Sequence, residues 1–256
     1  MKRLLKVLLL VVALIVLGVG GVLAATFMGR RPVSDGQVFN SVRIVADGFS
    51  SIGVITIDER QVALVDAGND TSGEAILAEL SRRQLGPDAV SAVFVTHGHS
   101  DHIGAVGLFP NAQVMALDAE AALVEGRAGA RGPLTRLFPV RPTGITVTRR
   151  LEDGDVVTIG NVPVRVYAVP GHTGGSAAYL ADGVLFLGDS ADMASDGSLS
   201  GAPWIFSDSQ PENRASLARL EQRLVADGVK VTAMVPAHSG ASDGLAPLTA
   251  FAEAHR

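Results

Sequence analysis

The 256-residue chain contains no cysteine, three lysines and one tryptophan, and only 5% of it is aromatic. Without cysteine no disulfide can staple the fold, and no thiolate can bind a metal. The redox character of its surroundings stays open, because a domain of this size buries enough surface to stand without cross-links. Lysine is confined to Lys2, Lys6 and Lys230, which leaves an anionic ligand almost no ammonium to meet. Positive charge is scarce overall: the formal charge of −5 becomes −8 once the three basic residues of the N-terminal segment are set aside. A domain this acidic is a poor nucleic-acid binder, and nothing in the chain indicates a protein partner. Internal repeats and low-complexity tracts are also missing.

What is present begins with MKRLLKVLLLVVALIVLGVGGVLAATFMGRR, in which Val7 to Met28 is an uncharged run of 22 residues. About 20 apolar residues cross a bilayer. Lys2, Arg3 and Lys6 precede the run, so the positive-inside rule sends the remainder outward, with the main domain extracytoplasmic on a single-pass anchor. Val22-Leu23-Ala24 also has the small-residue form of a signal-peptidase site, which would release a secreted or periplasmic protein. The run exceeds the roughly 7–15 residues of a signal h-region, and the uncleaved anchor is the preferred reading. Residues 1–28 are thus read as anchor or signal, 29–41 as a polar linker and 42–256 as the main domain.

In that domain strands and helices interleave, the pattern of an α/β fold with mostly buried sheets. Runs at 51–57 and 61–65 form a hairpin, and a helix is predicted from Ser72 to Gln84 before Gly86-Pro87. Strands are predicted at 92–96, 113–117, 156–159, 164–169, 184–187 and 231–235. Ser209-Gln210-Pro211-Glu212 has capping-box form and opens a helix to about Ala226.

The chemistry is concentrated in VFVTHGHSDHIGA. Three of the six histidines, His97, His99 and His102, lie within six residues of one another together with Asp101. Neutral imidazole and carboxylate are ligands for a borderline divalent ion such as zinc, and this bunching has little other use. A polar residue also closes each buried strand: Asp66 after VALV, His97 after AVFVT, His172 after VYAVPG, Asp189 after VLFLG and His238 after VTAMVPA. Strand ends of one sheet share an edge, so residues far apart in sequence can meet there. Five of the six histidines belong to this set. Gly98, Gly104, Gly171 and Gly174 are expected to let the backbone turn sharply around the metals.

THGHSDHIGA, with VDAG before it and PGHT, GDS and PAHSG after it, resembles the metallo-β-lactamase-fold hydrolase superfamily from roughly Val42 to the C-terminus. The resemblance implies an αββα four-layer sandwich and two zinc ions or similar divalent metals. By position, His97, His99 and His172 resemble the first metal site, Asp101, His102 and His238 the second, and Asp189 the bridging carboxylate. Asp66 is similar to the family's aspartate that orients ligands without binding metal. The implied reaction is attack by metal-bound hydroxide on an ester, thioester or lactone of a small-molecule substrate, with Asp101 as catalytic proton shuttle. Aspartate at position 189 resembles the glyoxalase II-like and lactonase branches, although glyoxalase II's C-terminal helical extension is not recognised. Histidine at 99 differs from the glutamate of diiron oxygen-reducing members. β-Lactamase or phosphodiesterase activity, a mononuclear-iron oxygenase resembling sulfur dioxygenases, and a metal-stabilised non-enzyme are the alternatives.

Gly126 to Arg150 carries six arginines and no acidic residue, with Leu134, Leu137, Phe138 and Val140 among them. It reads as a solvated loop, as a reader of an anionic substrate group, or as a contact for anionic lipid. Trp204 reads equally as pocket wall or core. Tyr167 and Tyr179 read as strand residues, neither an obvious oxyanion donor.

Overall fold

The computed structural model describes residues 2–255, which divide into two compact units at Arg30 and Arg31. In the first unit, helix α1 (Lys2–Phe27) contains a stretch, Arg3–Phe27, with a mean hydropathy of 3.0. Most of its described leucines and valines are exposed, Leu14 at 59% and Leu17 at 71%, which in water would be costly.

The second unit holds two mixed sheets. The first runs in the order β1 (Val38–Phe39), β2 (Val42–Asp47), β3 (Ser50–Thr56), β4 (Val62–Val65), β5 (Val90–Phe94), β6 (Gln113–Leu117) and β7 (Arg149–Leu151). The second contains β8 (Val156–Ile159), β9 (Val162–Ala168), β10 (Ala177–Ala181) and β11 (Val184–Gly188) as a meander. A short ribbon, β12 (Ala191–Met193) with β13 (Leu199–Gly201), follows; β14 (Ala233–Pro236) then joins β11 in parallel, with β15 (Ser242–Asp243) beside it. Residues 31–41 are held by this unit: Arg31 N–H donates to Met193 O at 2.8 Å, and β1 pairs with β2.

Three apolar layers account for the stacking. Alternating residues of β3 to β5 bury one face against α2 (Glu74–Arg82) and α4 (Asp118–Val124), through Ile76, Leu80, Ala121 and Val124. The opposite face, with Ile44, Ala63, Phe94 and Met115, packs on Val164, Tyr179 and Phe186 of the second sheet. That sheet's outer face, with Tyr167, Leu185 and Met234, is covered by α5 (Gln210–Ala226) and α6 (Ala246–Ala254) through Leu217, Leu224 and Leu248. The order is helix, sheet, sheet, helix, the expected αββα sandwich.

Element boundaries differ from the sequence reading for local reasons. α2 starts at Glu74 instead of Ser72, because Asp70 takes the N–H groups of Ser72 and Glu74 and Gly73 sits at φ 64°. β5 stops at Phe94, since Thr96 N–H is drawn to the Asp66 carboxylate at 2.7 Å. The last parallel strand begins at Ala233, after Thr232 N–H has bonded to Gly183 O. Trp204 is 53% exposed, which removes it from the core.

The sheets meet most tightly where Phe186 lies against Gly53 of β3, and a Cβ on that glycine would overlap the ring. Gly53→Ala should therefore lower the urea midpoint by an amount equivalent to about 1–3 kcal/mol. Gly53→Ala with Phe186→Leu should recover part of it, and equal stability of Gly53→Ala and parent would show that the sheets are not in close contact there.

Candidate metal centre

The strand ends along one edge of the sandwich bring the candidate residues together. Asp66 follows β4 directly in a left-handed conformation, φ 59°, which aspartate tolerates better than most residues. This turns its carboxylate back across the sheet: Oδ1 accepts Thr96 N–H, while Oδ2 accepts Thr96 Oγ1–H at 2.7 Å and His102 Nδ1–H at 2.8 Å. Asp101 and His102 project from α3 (Ser100–Ile103), a single turn after β5.

Each hydrogen bond fixes a tautomer. His102 gives its Nδ1 proton to Asp66, and His238 gives its own to Phe49 O at 2.9 Å. Thr96 Oγ1 spends its proton on Asp66 and so accepts from His97 Nδ1 at 3.2 Å. Ser207 Oγ spends its proton on Pro203 O and accepts from His172 Nδ1 at 3.0 Å. Four imidazoles are thus left with Nε2 facing one centre, the outer-partner arrangement of metal-binding histidines.

The inward atoms form two groups. His97 Nε2, His99 Nδ1 and His172 Nε2 stand 3.0–3.1 Å from one another in a triangle. Their ring planes are 81–87° apart and the three nitrogens form one group that could hold a cation; nitrogens about 2.0–2.1 Å from one tetrahedral zinc would stand about 3.3 Å apart, close to this spacing. In the second group His238 Nε2 is 3.2 Å from Asp101 Oδ2, and both His238 Nε2 and His102 Nε2 are 3.1 Å from Asp189 Oδ1. Asp189 Oδ2 faces the first group, 3.5 Å from His172 Nε2. His102 Nε2 and Asp189 Oδ1 are buried without a hydrogen-bond partner despite this proximity. Buried polar atoms left in that state want a cation. His97, His99 and His172, His97, His102 and Asp189, and Asp101, His102 and His238 could each hold one. All eight residues singled out in the sequence meet here, whereas His255 lies apart, stacked on Phe251.

Electrostatics separates the two groups. Burial holds His97, His99 and His172 below the ordinary imidazole range, His172 at about 3, so all are neutral imidazoles at pH 7. Burial opposes charge on His102 and His238 too, but Asp189 and its fellow carboxylates overcome it, raising His102 well above the usual range and His238 to about 10. Despite burial, His102 and His238 bring Asp101 down to about 2. A cation entering the second group replaces protons, so its affinity rises with pH.

The family model for the metallo-beta-lactamase superfamily matches residues 45–238. The chain belongs to that superfamily. Hydroxyacylglutathione hydrolase of Vibrio cholerae is 35% identical over 142 residues, covering 54% of this chain and 45% of the relative. Hydroxyacylglutathione hydrolase of Pseudomonas putida is 32% identical over 169 residues, covering 63% and 52%. The chain spans about half the length of the curated relatives it matches. Among solved structures, a B3 metallo-beta-lactamase with an active-site glutamic acid superposes with a TM-score of 0.66 at 20% identity, covering 91% of this chain and 90% of the other. The metallo-beta-lactamase MIM-1 of Novosphingobium pentaromativorans gives 0.65 at 20%, covering 89% and 88%. These structures share the superfamily's fold.

Two acidic residues near the centre escaped the sequence reading. Glu120, 1% exposed in the first turns of α4, accepts Gly98 N–H at 2.8 Å, Gly175 N–H at 2.9 Å and Thr173 Oγ1–H at 2.9 Å. It thereby ties the loop of His97 and His99 to the turn after His172. Asp208 accepts Arg131 N–H at 2.8 Å, and its own N–H donates to His172 O at 3.0 Å. The expectation for the glycines holds only at Gly171, φ 130°; Gly98 has no positive φ and is needed because a Cβ there would lie 2.6 Å from Val124 N.

Burial pushes the Glu120 carboxyl from 4.5 up to about 7, against three hydrogen bonds that favour the anion. Between those values the unfolded chain is ionised there and the folded one is not, so stability falls as pH rises. Glu120→Gln does not titrate. In urea unfolding of chelator-treated protein, the stability of the parent relative to Glu120→Gln should decline from pH 4.5 to 7; a constant difference would show that Glu120 ionises as an exposed carboxylate does.

Proposed function

We propose that the chain is a zinc-dependent hydrolase of carboxylic thioesters or esters, with a dinuclear centre. His97, His99 and His172 would hold one ion, Asp101, His102 and His238 the other, and Asp189 would bridge them. The observation that carries this reading is the Asp189 carboxylate, one oxygen toward each group of inward-facing imidazoles. Metals bind to this fold as a class, and here they would acidify a water and polarise the substrate carbonyl.

The chain's own residues do the rest. Asp66, Thr96, Ser207 and the carbonyl of Phe49 hold the imidazoles in the tautomers that leave Nε2 inward. His99, Asp101 and His238 are the partly exposed members of the set, so substrate would approach from their side. Asp101, ionised at neutral pH, lies on that open side and is suited to take a proton from the nucleophile and pass it to the leaving group. Phe49, 56% exposed with its ring 5.5 Å from the His238 ring, supplies an apolar wall. Preference for a thioester rests on the hydroxyacylglutathione hydrolases and on aspartate at position 189, a feature of the thioesterase-like and lactonase-like branches. For the chain as a whole, α1 would anchor residues 42–256 outside the cytoplasm, with 29–41 leading into the domain.

Purified full-length protein should contain close to two equivalents of zinc, and His238→Ala close to one. Asp189→Ala should lower thioester turnover on the order of a hundredfold or more, and parent activity should rise with pH through neutrality. Rapid β-lactam cleavage with inert thioesters and esters would overturn the substrate class; one equivalent of metal in fully loaded parent would overturn the dinuclear centre. Resistance to carbonate extraction is expected of the anchored chain, whereas a soluble form beginning near Ala25 would indicate cleavage.

A further inference from the structure

The arginine-rich segment resolves into a largely paired frame and a bare tip. Three of its six arginines are paired: Arg127 with Glu125, Arg131 with Asp208 at 3.0 Å and Arg150 with Asp118 at 2.7 Å. Among the described residues Arg149, in β7, has no ion-pair partner, and neither do Arg136 and Arg141 at the tip. Those two bracket Leu-Phe-Pro-Val, in which Leu137 is 71%, Phe138 61% and Val140 54% exposed. Residues 136–144 form an unbroken exposed stretch. Its base is nevertheless fixed: Leu134 N–H donates to Ile205 O at 2.9 Å, Phe138 N–H to Thr135 O at 3.0 Å, and on the far side Thr143 Oγ1–H to Val124 O at 2.8 Å. Gly126 is held so close to the Arg141 carbonyl that no side chain fits between them. A pinned loop that shows three large apolar side chains to water while leaving two guanidinium groups unspent is costly unless something covers it.

We infer that residues 136–141 are an interfacial loop that inserts Leu137, Phe138 and Val140 into the headgroup region of an anionic lipid bilayer, with Arg136 and Arg141 on lipid phosphates. Apolar side chains flanked by arginine match the two layers of such an interface, carbon below and anionic oxygen above. Charge complementarity selects the partner. The domain is acidic overall, so an acidic protein surface would meet repulsion around the loop, whereas a flat bilayer meets only the protruding tip. Helix α1, once in a bilayer, keeps the domain near such a surface and raises the loop's effective concentration there.

The absence of cysteine makes the test direct. Phe138→Cys in the full-length chain, labelled with an environment-sensitive fluorophore, is reconstituted into phosphatidylcholine vesicles with or without phosphatidylglycerol; Val225→Cys, 61% exposed in the parent at the end of α5, is the control. Circular dichroism and metal content verify that each variant is folded. In anionic vesicles the Phe138→Cys label should shift to the blue and be quenched by shallow spin-labelled lipid, and the control label should do neither. Arg136→Glu with Arg141→Glu should weaken the quenching on the order of tenfold. Flotation with the vesicles while the loop label reads as aqueous would overturn the loop and leave α1 as the sole membrane contact. Failure to float would overturn both. A blue shift produced by a thioester substrate and not by lipid would also overturn it, assigning the loop to the mouth of the site.

Discussion

Everything around the centre depends on a demand that five imidazoles and two carboxylates cannot satisfy among themselves. Three nitrogens about 3 Å apart repel one another, and their other ring nitrogens are already committed or enclosed. Two more imidazoles meet the carboxylates of Asp101 and Asp189 without adequate hydrogen-bond geometry for His102 Nε2 and Asp189 Oδ1. Such an arrangement is expensive to bury unless positive charge occupies its middle. The fold tolerates it because most of the stabilising apolar contact lies elsewhere, in three layers away from the edge.

Backbone geometry and outer hydrogen bonds hold the demand in place. The left-handed Asp66 lets one carboxylate grip Thr96 and His102 together, and through the Thr96 hydroxyl that grip reaches His97. Glu120 does the same for the other side of the centre, joining the loop of His97 and His99 to the turn after His172. Neither carboxylate needs to touch a metal to matter. Each restricts where an imidazole can point, which decides whether lone pairs converge or scatter.

How much of this was legible follows from what a one-dimensional pattern encodes. Buried strands ending in Asp66, His97, His172, Asp189 and His238 marked both the sheet edge and the clustered residues, because burial and strand ends leave traces in local hydrophobicity. Glu120 left none. In DAEAALVEG a glutamate reads as the solvent side of a short helix, and only the approach of Gly98 and Gly175 turns it inward. Gly98 serves a purpose other than the expected turn: its lack of a side chain admits the α4 backbone, a contact 26 residues away in sequence. Boundaries failed where a side chain outcompeted the ladder, as at Asp70 and Asp66.

Reaction class and substrate are encoded at different places in this architecture. The centre is built from strand ends and short tight turns, whose positions the sheets impose, and its chemistry is correspondingly readable. Beside it lie Phe49, in a β-turn against the His238 ring, and Asp208, whose N–H donates to His172 O and whose carboxylate pairs with Arg131; all depend on loops that no sheet register fixes. Loop positions of this kind vary freely while the centre is kept, so one scaffold serves many leaving groups. Arg131 illustrates the consequence: its side chain is 71% exposed, but Asp208 already neutralises it. An anionic substrate group would therefore have to compete with Asp208 for that arginine. Under the proposed function, selectivity would consequently rest on shape and apolar contact more than on net charge.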